Sequence, residues 1–343
     1  MKHLLLAISA ISALLLVSAC YPGKGMKTLG ELHEFTGSWT GSGTLYSDAG
    51  SQGTPWTSEV IYTPAYDDVL MEKREIIDTG AAQPIATLSF LGWDWGTENP
   101  VHLTVGNDGL GARKEPMTRI SDTEFMVTRT TMNAQGQAVV DQTTMELSGN
   151  TYTVSRMRAV DGGTPFVSFE GTYQRSSEAL DVDLFKVGAQ VPLSDDTNRI
   201  ACMAGFYRQE GSYQGSPILG DESIELILGG HAMFINFKFE ADAGDGYFGS
   251  SLTSWNSEQD RFTGFMVSND AMTAAFEAWL SDDQSQLIYQ PLDDQGRGME
   301  DARWSANLNS DENHCLLNVS SPKVGSNDAA DKGLFIKFTK VVE

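Results

Sequence analysis

The chain is poor in the residues on which reactive chemistry usually draws. Three cysteines and five histidines are spread over 343 residues. They form no His-x-x-x-His pair and no Cys-x-x-Cys, so the sequence gives no support for a zinc site. No Gly-x-Ser-x-Gly occurs, which removes the usual hydrolase elbow. Gly106-Asn107-Asp108-Gly109-Leu110-Gly111 is too degenerate for a phosphate loop, follows no strand-helix pattern, and reads as a hairpin turn. The loop Asp242-Ala243-Gly244-Asp245-Gly246 lacks the ligand spacing of a helix-loop-helix calcium site and reads as an ordinary turn. No cofactor or metal is expected. Positive charge is also scarce, with 23 Lys and Arg against 46 Asp and Glu and a formal net charge of −23. The acids are scattered rather than gathered in a tail. They read as a solubilising surface whose field repels nucleic acid and anionic lipid headgroups.

Long apolar runs are absent except for one. Leu4 to Val17 follows the basic start Met1-Lys2-His3 and is of signal-peptide length, shorter than a spanning helix needs. It leads into Val17-Ser18-Ala19-Cys20, which resembles a bacterial lipoprotein signal. That resemblance implies cleavage after residue 19, with Cys20 becoming an acylated N-terminus. The rival reading is a secretory signal with a chance cysteine. Tyr21 stands where Asp is the usual inner-membrane retention signal, so the expected location is the outer membrane, facing the periplasm, with the membrane as partner through Cys20 alone. Cleavage removes Lys2 and no acid, so the mature chain would carry −24.

What the chain does have is short strand-like runs punctuated by turn clusters. Residues 20–27 form a Pro/Gly/Lys tether. Across 28–175, nine or ten strand candidates are separated by Asp48-Ala49-Gly50, Asn107-Asp108-Gly109, Ser148-Gly149-Asn150 and similar clusters. A linker at 176–199 carries one apolar patch, Leu184, Phe185 and Val187, able to dock on a barrel. Strands resume over 200–343. The second half echoes the first: Gly37 and Trp39 find Gly205 and Tyr207, and Val69-Leu70-Met71 finds Met233-Phe234-Ile235. Trp93 finds Trp255, Asn107-Asp108 finds Asn269-Asp270, and Gln135-Gly136 finds Gln295-Gly296. Nearly constant offsets in order point to duplication of one domain. The expected fold is all-β: two tandem antiparallel up-and-down barrels.

The opening Phe35-Thr36-Gly37-Ser38-Trp39-Thr40-Gly41, together with Leu228-Gly229-Gly230 and Trp255-Asn256 in the second half, resembles a bacterial calycin-like family of unknown function. Calycins such as lipocalins share the Gly-x-Trp start. The resemblance implies up-and-down barrels whose interiors can hold an apolar or amphipathic molecule, with the indole plugging one end. Tyr207 and Gln209 depart from the pattern, so the closed end of the second barrel is expected to be rebuilt. Haem is not carried over, because residues 152–159 contain no histidine.

Individual residues are weighed against that frame. Cys202 and Cys315, left once Cys20 is acylated, are expected to pair in an exported protein. His231, Met233, Ile235, Phe237 and Phe239 share one face by alternation, an apolar wall with His231 at its rim. A hydrogen-bonded histidine at a barrel mouth is the favoured reading of His231 over a ligand or general base. Arg74, Arg156 and Arg158 sit mid-strand, where a buried arginine could hold a ligand carboxylate. The opposite face, Thr151, Thr153, Ser155 and Met157, is no more apolar, so direction stays open and solvent-facing arginines are the plainer reading. The second copy has Leu316 and Leu317 in this region, so the two interiors should differ in polarity. Trp39, Trp93 and Trp255 complete the candidate ligand contacts. Three functions follow: a lipid-anchored envelope protein binding a small apolar or amphipathic molecule; an interaction protein using exposed Trp56, Trp95 or Trp279; or an enzyme around His231 or Glu72.

Overall fold

Alternation of apolar and polar residues, broken by turns, builds two closed barrels in the computed structural model. It describes residues 30–341 apart from 67, 95–98, 134, 214–215, 241–246, 270–272, 294–295, 310–314 and 323–331. Cys20 with its leader and tether, Trp95, the loop at 242–246 and His314 lie outside the described residues. The first barrel comprises β1 (Gly37–Leu45), β2 (Thr54–Ala65), β3 (Leu70–Asp78), β4 (Ile85–Asp94), β5 (Asn99–Gly106), β6 (Arg113–Arg119), β7 (Glu124–Met132), β8 (Ala138–Ser148), β9 (Thr151–Val160) and β10 (Phe166–Arg175). The second comprises β11 (Gly205–Tyr213), β12 (Ser216–Ile227), β13 (Ala232–Phe239), β14 (Tyr247–Asn256), β15 (Arg261–Ser268), β16 (Thr273–Leu280), β17 (Gln286–Pro291), β18 (Trp304–Leu308), β19 (Leu316–Pro322) and β20 (Lys332–Lys340). In each, every strand pairs antiparallel with its sequence neighbours and the first closes on the last. Closure leaves no free sheet edge.

The same device shuts one end of each barrel. A 3-10 turn, Gly30–Phe35, precedes β1, and Trp39 behind it is fully buried, its Nε1 donating to the Phe35 carbonyl at 2.7 Å. Arg175 lies 4.2 Å from the Trp39 ring centroid and donates to the carbonyls of Thr36 and Glu34. In the second barrel Ala201–Met203 forms the turn, and the Tyr207 hydroxyl donates to the Met203 carbonyl at 2.7 Å. Lys340 donates to the Ala204 carbonyl, in the register position of Arg175. Gly37 and Gly205 have φ of 122° and 153°, a backbone that L side chains rarely adopt, and they make the bend into each first strand. A phenol thus replaces an indole without losing the hydrogen bond.

The barrels are joined side by side. Leu70, Leu88, Phe90, Leu103 and Val105 on the outside of the first meet Phe234, Leu252, Phe265 and Val267 on the outside of the second in one buried cluster. Leu184 and Val187 of the linker are wedged into it, while Phe185 is 52 % exposed. Asn107 fastens the linker: its Nδ2 donates to the carbonyls of Pro84 and Gly188, and its Oδ1 accepts from the Ala86 amide. The Leu228 amide donates to the Leu184 carbonyl at 2.9 Å from the other side.

Candidate functional site

Strand parity fixes which side chains enter the first barrel. Met71, Met117, Val127, Met145 and Val154 lie in its core. The same faces of β3, β6, β7, β8 and β9 therefore also turn Lys73, Glu75, Arg113, Glu115, Arg129, Asp141, Arg156 and Arg158 inward. His102 joins them from β5, whose other face, Val101, Leu103 and Val105, packs in the inter-barrel cluster. Below this layer the closed end is aromatic. Tyr152 stacks on Tyr173 at 4.3 Å between ring centroids and meets Trp39 and Phe35 edge-on. Nearer the mouth Trp56 stacks on Phe169 at 4.6 Å.

The charges are knitted together. Glu75 receives Lys73 at 2.6 Å, the Tyr173 hydroxyl at 2.6 Å and the Ser58 hydroxyl at 3.1 Å. Burial opposes its ionisation, but the Lys73 ammonium and these hydrogen bonds outweigh it and hold the carboxyl below its ordinary value. Asp141 is shared, by Arg129 at 2.6 Å and by Arg158 at 2.7 and 2.9 Å. Glu115 lies 2.8 Å from His102 Nδ1 and 3.5 Å from Arg113. Its pKa falls to about 2, because His102 and the nearby arginines overcome the burial penalty. Five cations thus face three carboxylates on the strand walls, and Asp108 in the turn at the mouth stands 3.7 Å from Arg113. Solvent still reaches the layer: the Arg129 and Arg158 side chains keep 20 % and 30 % exposure.

The second barrel holds the same registers with different residues. Following strand pairing outward from Trp39 and Tyr207, Lys73 corresponds to Ile235, Glu75 to Phe237, Glu115 to Phe276, Arg129 to Pro291 and Arg156 to Ser321. The two interiors differ in polarity, and the second barrel needs no charge at these registers. Met233, Ile235 and Phe237 belong to a filled core, in which a cavity of about 30 Å³ remains beside Glu222, Met266, Tyr289 and Trp304. That is room for little more than a water molecule.

Several expectations need correcting. Arg74 points out of the first barrel and pairs with Glu72 at 2.6 Å, because its strand parity is that of Leu70 rather than Met71. Arg156 and Arg158, for which a solvent-facing reading was preferred, face inward. His231 is not at the rim of an apolar wall. It lies in the turn before β13, and its Nε2 meets the Val191 carbonyl of the linker at 2.9 Å. Trp56 is 2 % exposed inside the first barrel, so it offers no docking surface, and Trp279 lies 5.4 Å from the Arg303 guanidinium. Trp93 is half-buried at the closed end of β4, and Trp255 meets Phe262 edge-on in the second barrel. Cys202 and Cys315, by contrast, are bonded as expected, with Cα atoms 5.8 Å apart. Sequence reasoning missed Lys73, Glu75, His102, Arg113, Glu115, Arg129, Asp141 and Glu222. The available signal was charge recurring every second residue between core residues, as in Met71-x-Lys73-x-Glu75-x-Ile77.

No protein-family model and no curated protein matches the chain. Among solved structures it is similar to a protein of unknown function from the DUF3598 family of Nostoc punctiforme. The likeness has 10 % identity and a TM-score of 0.26, covering 92 % of this chain and 100 % of that one.

Proposed function

We propose that the protein is a lipid-anchored binding protein of the cell envelope, whose first barrel takes a small amphipathic molecule while the second is a packed support. One observation carries the reading: inward charges line the first barrel at registers where the second builds the same barrel with Ile235, Phe237 and Phe276. Buried ionic groups are weak contributors to stability and are often bettered by apolar residues of similar size. Fold alone therefore gives no reason for them. An aromatic closed end beneath a charged, solvent-reached layer matches a molecule with an apolar tail and a polar head. The resemblance of Phe35 to Gly41 to calycins agrees with this. His231 and Glu72, the candidates for an enzymatic reading, are engaged elsewhere by the linker and by Arg74.

The test is titration of the chain, kept soluble by Cys20→Ser, with octyl glucoside, octanoate, octyl phosphate and octyltrimethylammonium below their micelle concentrations. We expect at least one to bind once per chain by calorimetry. It should perturb tryptophan emission in the parent chain and much less in Trp56→Phe, since Trp56 stacks on Phe169 beside the inward Arg156. No saturable heat with any of the four removes the binding reading.

Anchoring rests on the sequence Val17-Ser18-Ala19-Cys20. Expressed in a bacterial host, the parent chain should sediment with membranes and Cys20→Ala should appear in the soluble envelope fraction. A processed Cys20→Ala chain that stays with membranes overturns it.

A further inference from the structure

Three of the four inward-facing arginines of the first barrel have a carboxylate: Arg129 and Arg158 share Asp141, and Arg113 lies against Glu115. Arg156 has none among the described residues. Its Nε donates to the Thr143 hydroxyl at 3.1 Å, its guanidinium lies 5.3 Å from the Phe169 ring centroid, and its two terminal nitrogens donate to no described residue. Burial and then the neighbouring Arg129 depress its pKa, by more than Asp141 and Glu115, neither of them paired with it, raise it. In the same ring stack Trp56 Nε1 is a buried donor without a partner among the described residues. A chain of net charge −23 thus keeps, inside one barrel, a two-pronged donor that meets no acceptor among the described residues.

We propose that the head of the bound molecule is an oxyanion, carboxylate or phosphate, held by the fork of Arg156, with Arg129 and Arg158 at the mouth steering it inward. This rests on the binding role proposed above and adds the sign and shape of the head. A planar guanidinium with two free N–H edges matches two oxygens of such a group, and its binding partner must be negative. Asp141 divides one negative charge between two arginines, so it leaves residual positive field at the mouth and not the reverse. A cationic head would meet Arg156 directly.

The octyl series separates the possibilities when repeated on Arg156→Met and Arg156→Lys with inorganic phosphate added. Octanoate or octyl phosphate should bind the parent at least tenfold more tightly than octyltrimethylammonium. Arg156→Met should lose tenfold or more for the anions, and Arg156→Lys should recover part of it. Arg156→Met should also melt no lower than the parent, because it removes a half-buried cation that has no carboxylate partner among the described residues; this shows that weaker binding is not unfolding. Inorganic phosphate binding as tightly as octyl phosphate, and equally sensitive to Arg156, would support the oxyanion site with a free ion as its source. If all four octyl compounds bind with similar affinity and Arg156→Met changes none of them, the oxyanion proposal falls while the binding role survives. If none binds, the binding role itself falls.

Discussion

Reducing the Cys202–Cys315 bridge is expected to destabilise the second barrel by about 4 to 5 kcal/mol on the chain-entropy account, lowering its melting midpoint by roughly 10 to 20 °C. The bridge spans 113 residues of sequence, so it closes a loop containing β11 to β18. One sulfur sits in the turn that shuts the barrel, Ala201–Met203; the other belongs to Cys315, fully buried just before β19. It therefore ties the plug to the wall it plugs, at the start of β19, two strands round from β11. Arg199 adds a second tie, donating to the Asn309 carbonyl at 2.9 Å. The first barrel has no cysteine, and Arg175 does the equivalent fastening through its hydrogen bonds to the Thr36 and Glu34 carbonyls. Denaturation with and without reductant, and of Cys202→Ala/Cys315→Ala, checks the expectation. A fully reduced protein, verified by thiol labelling, whose midpoint matches the oxidised form would show that the bridge carries no stability.

The architecture was legible because it rests on signals that the barrel itself requires. Alternation marked the strands, Gly, Asn and Asp marked the turns, and Gly37-Ser38-Trp39 marked the closed end. The duplicate register was legible too, with one slip. Pairing places Met71 opposite Met233 in the two copies, whereas the sequence comparison matched Val69 with Met233. A shift of two residues keeps every side chain on its own face, so a period-two pattern cannot detect it.

The site was far less legible, for a related reason. Direction along a strand is read from which face is apolar, and β9 has no apolar face. Arg156 and Arg158 point inward, while Thr153 and Met157, equally unremarkable as surface residues, point out. Where the interior is itself charged, the rule that identifies interiors gives no answer, and function and illegibility coincide. His231 failed differently. Alternation was carried one residue past the strand, into a turn where Gly229, at φ 68°, lets the linker pass within contact distance of the backbone. The ring is held by that linker, which no local pattern announces.

The second large effect also lies in the second barrel, and its pH sense is opposite to that of the first barrel's Glu115. Glu222 is 4 % exposed, occupies the register of Val60, and receives one hydrogen bond, from Gln209 Nε2 at 2.6 Å. Burial beside the small apolar cavity pushes its pKa up to about 8, and the Gln209 bond offsets only part of that. Between the ordinary value of 4.5 and about 8 the folded chain holds a proton that the unfolded chain has released. Stability is then fully present below pH 4.5 and falls by about 1.4 kcal/mol per pH unit until the folded group ionises. By pH 7 the loss is about 3 kcal/mol. Glu222→Gln should therefore be nearly neutral near pH 4.5 and stabilising by about that amount at pH 7, with the gap widening toward pH 8. In the first barrel Glu115, held at about 2, works the other way: its contribution is present above the ordinary carboxylate value and is lost as pH falls toward 2. Acid should loosen the charged barrel and alkali the apolar one. Denaturant unfolding of the parent and of Glu222→Gln from pH 4.5 to 8.5 reads the difference. Parallel curves across that window would mean that Glu222 is already ionised in the fold, and that the second barrel tolerates a bare carboxylate in its core.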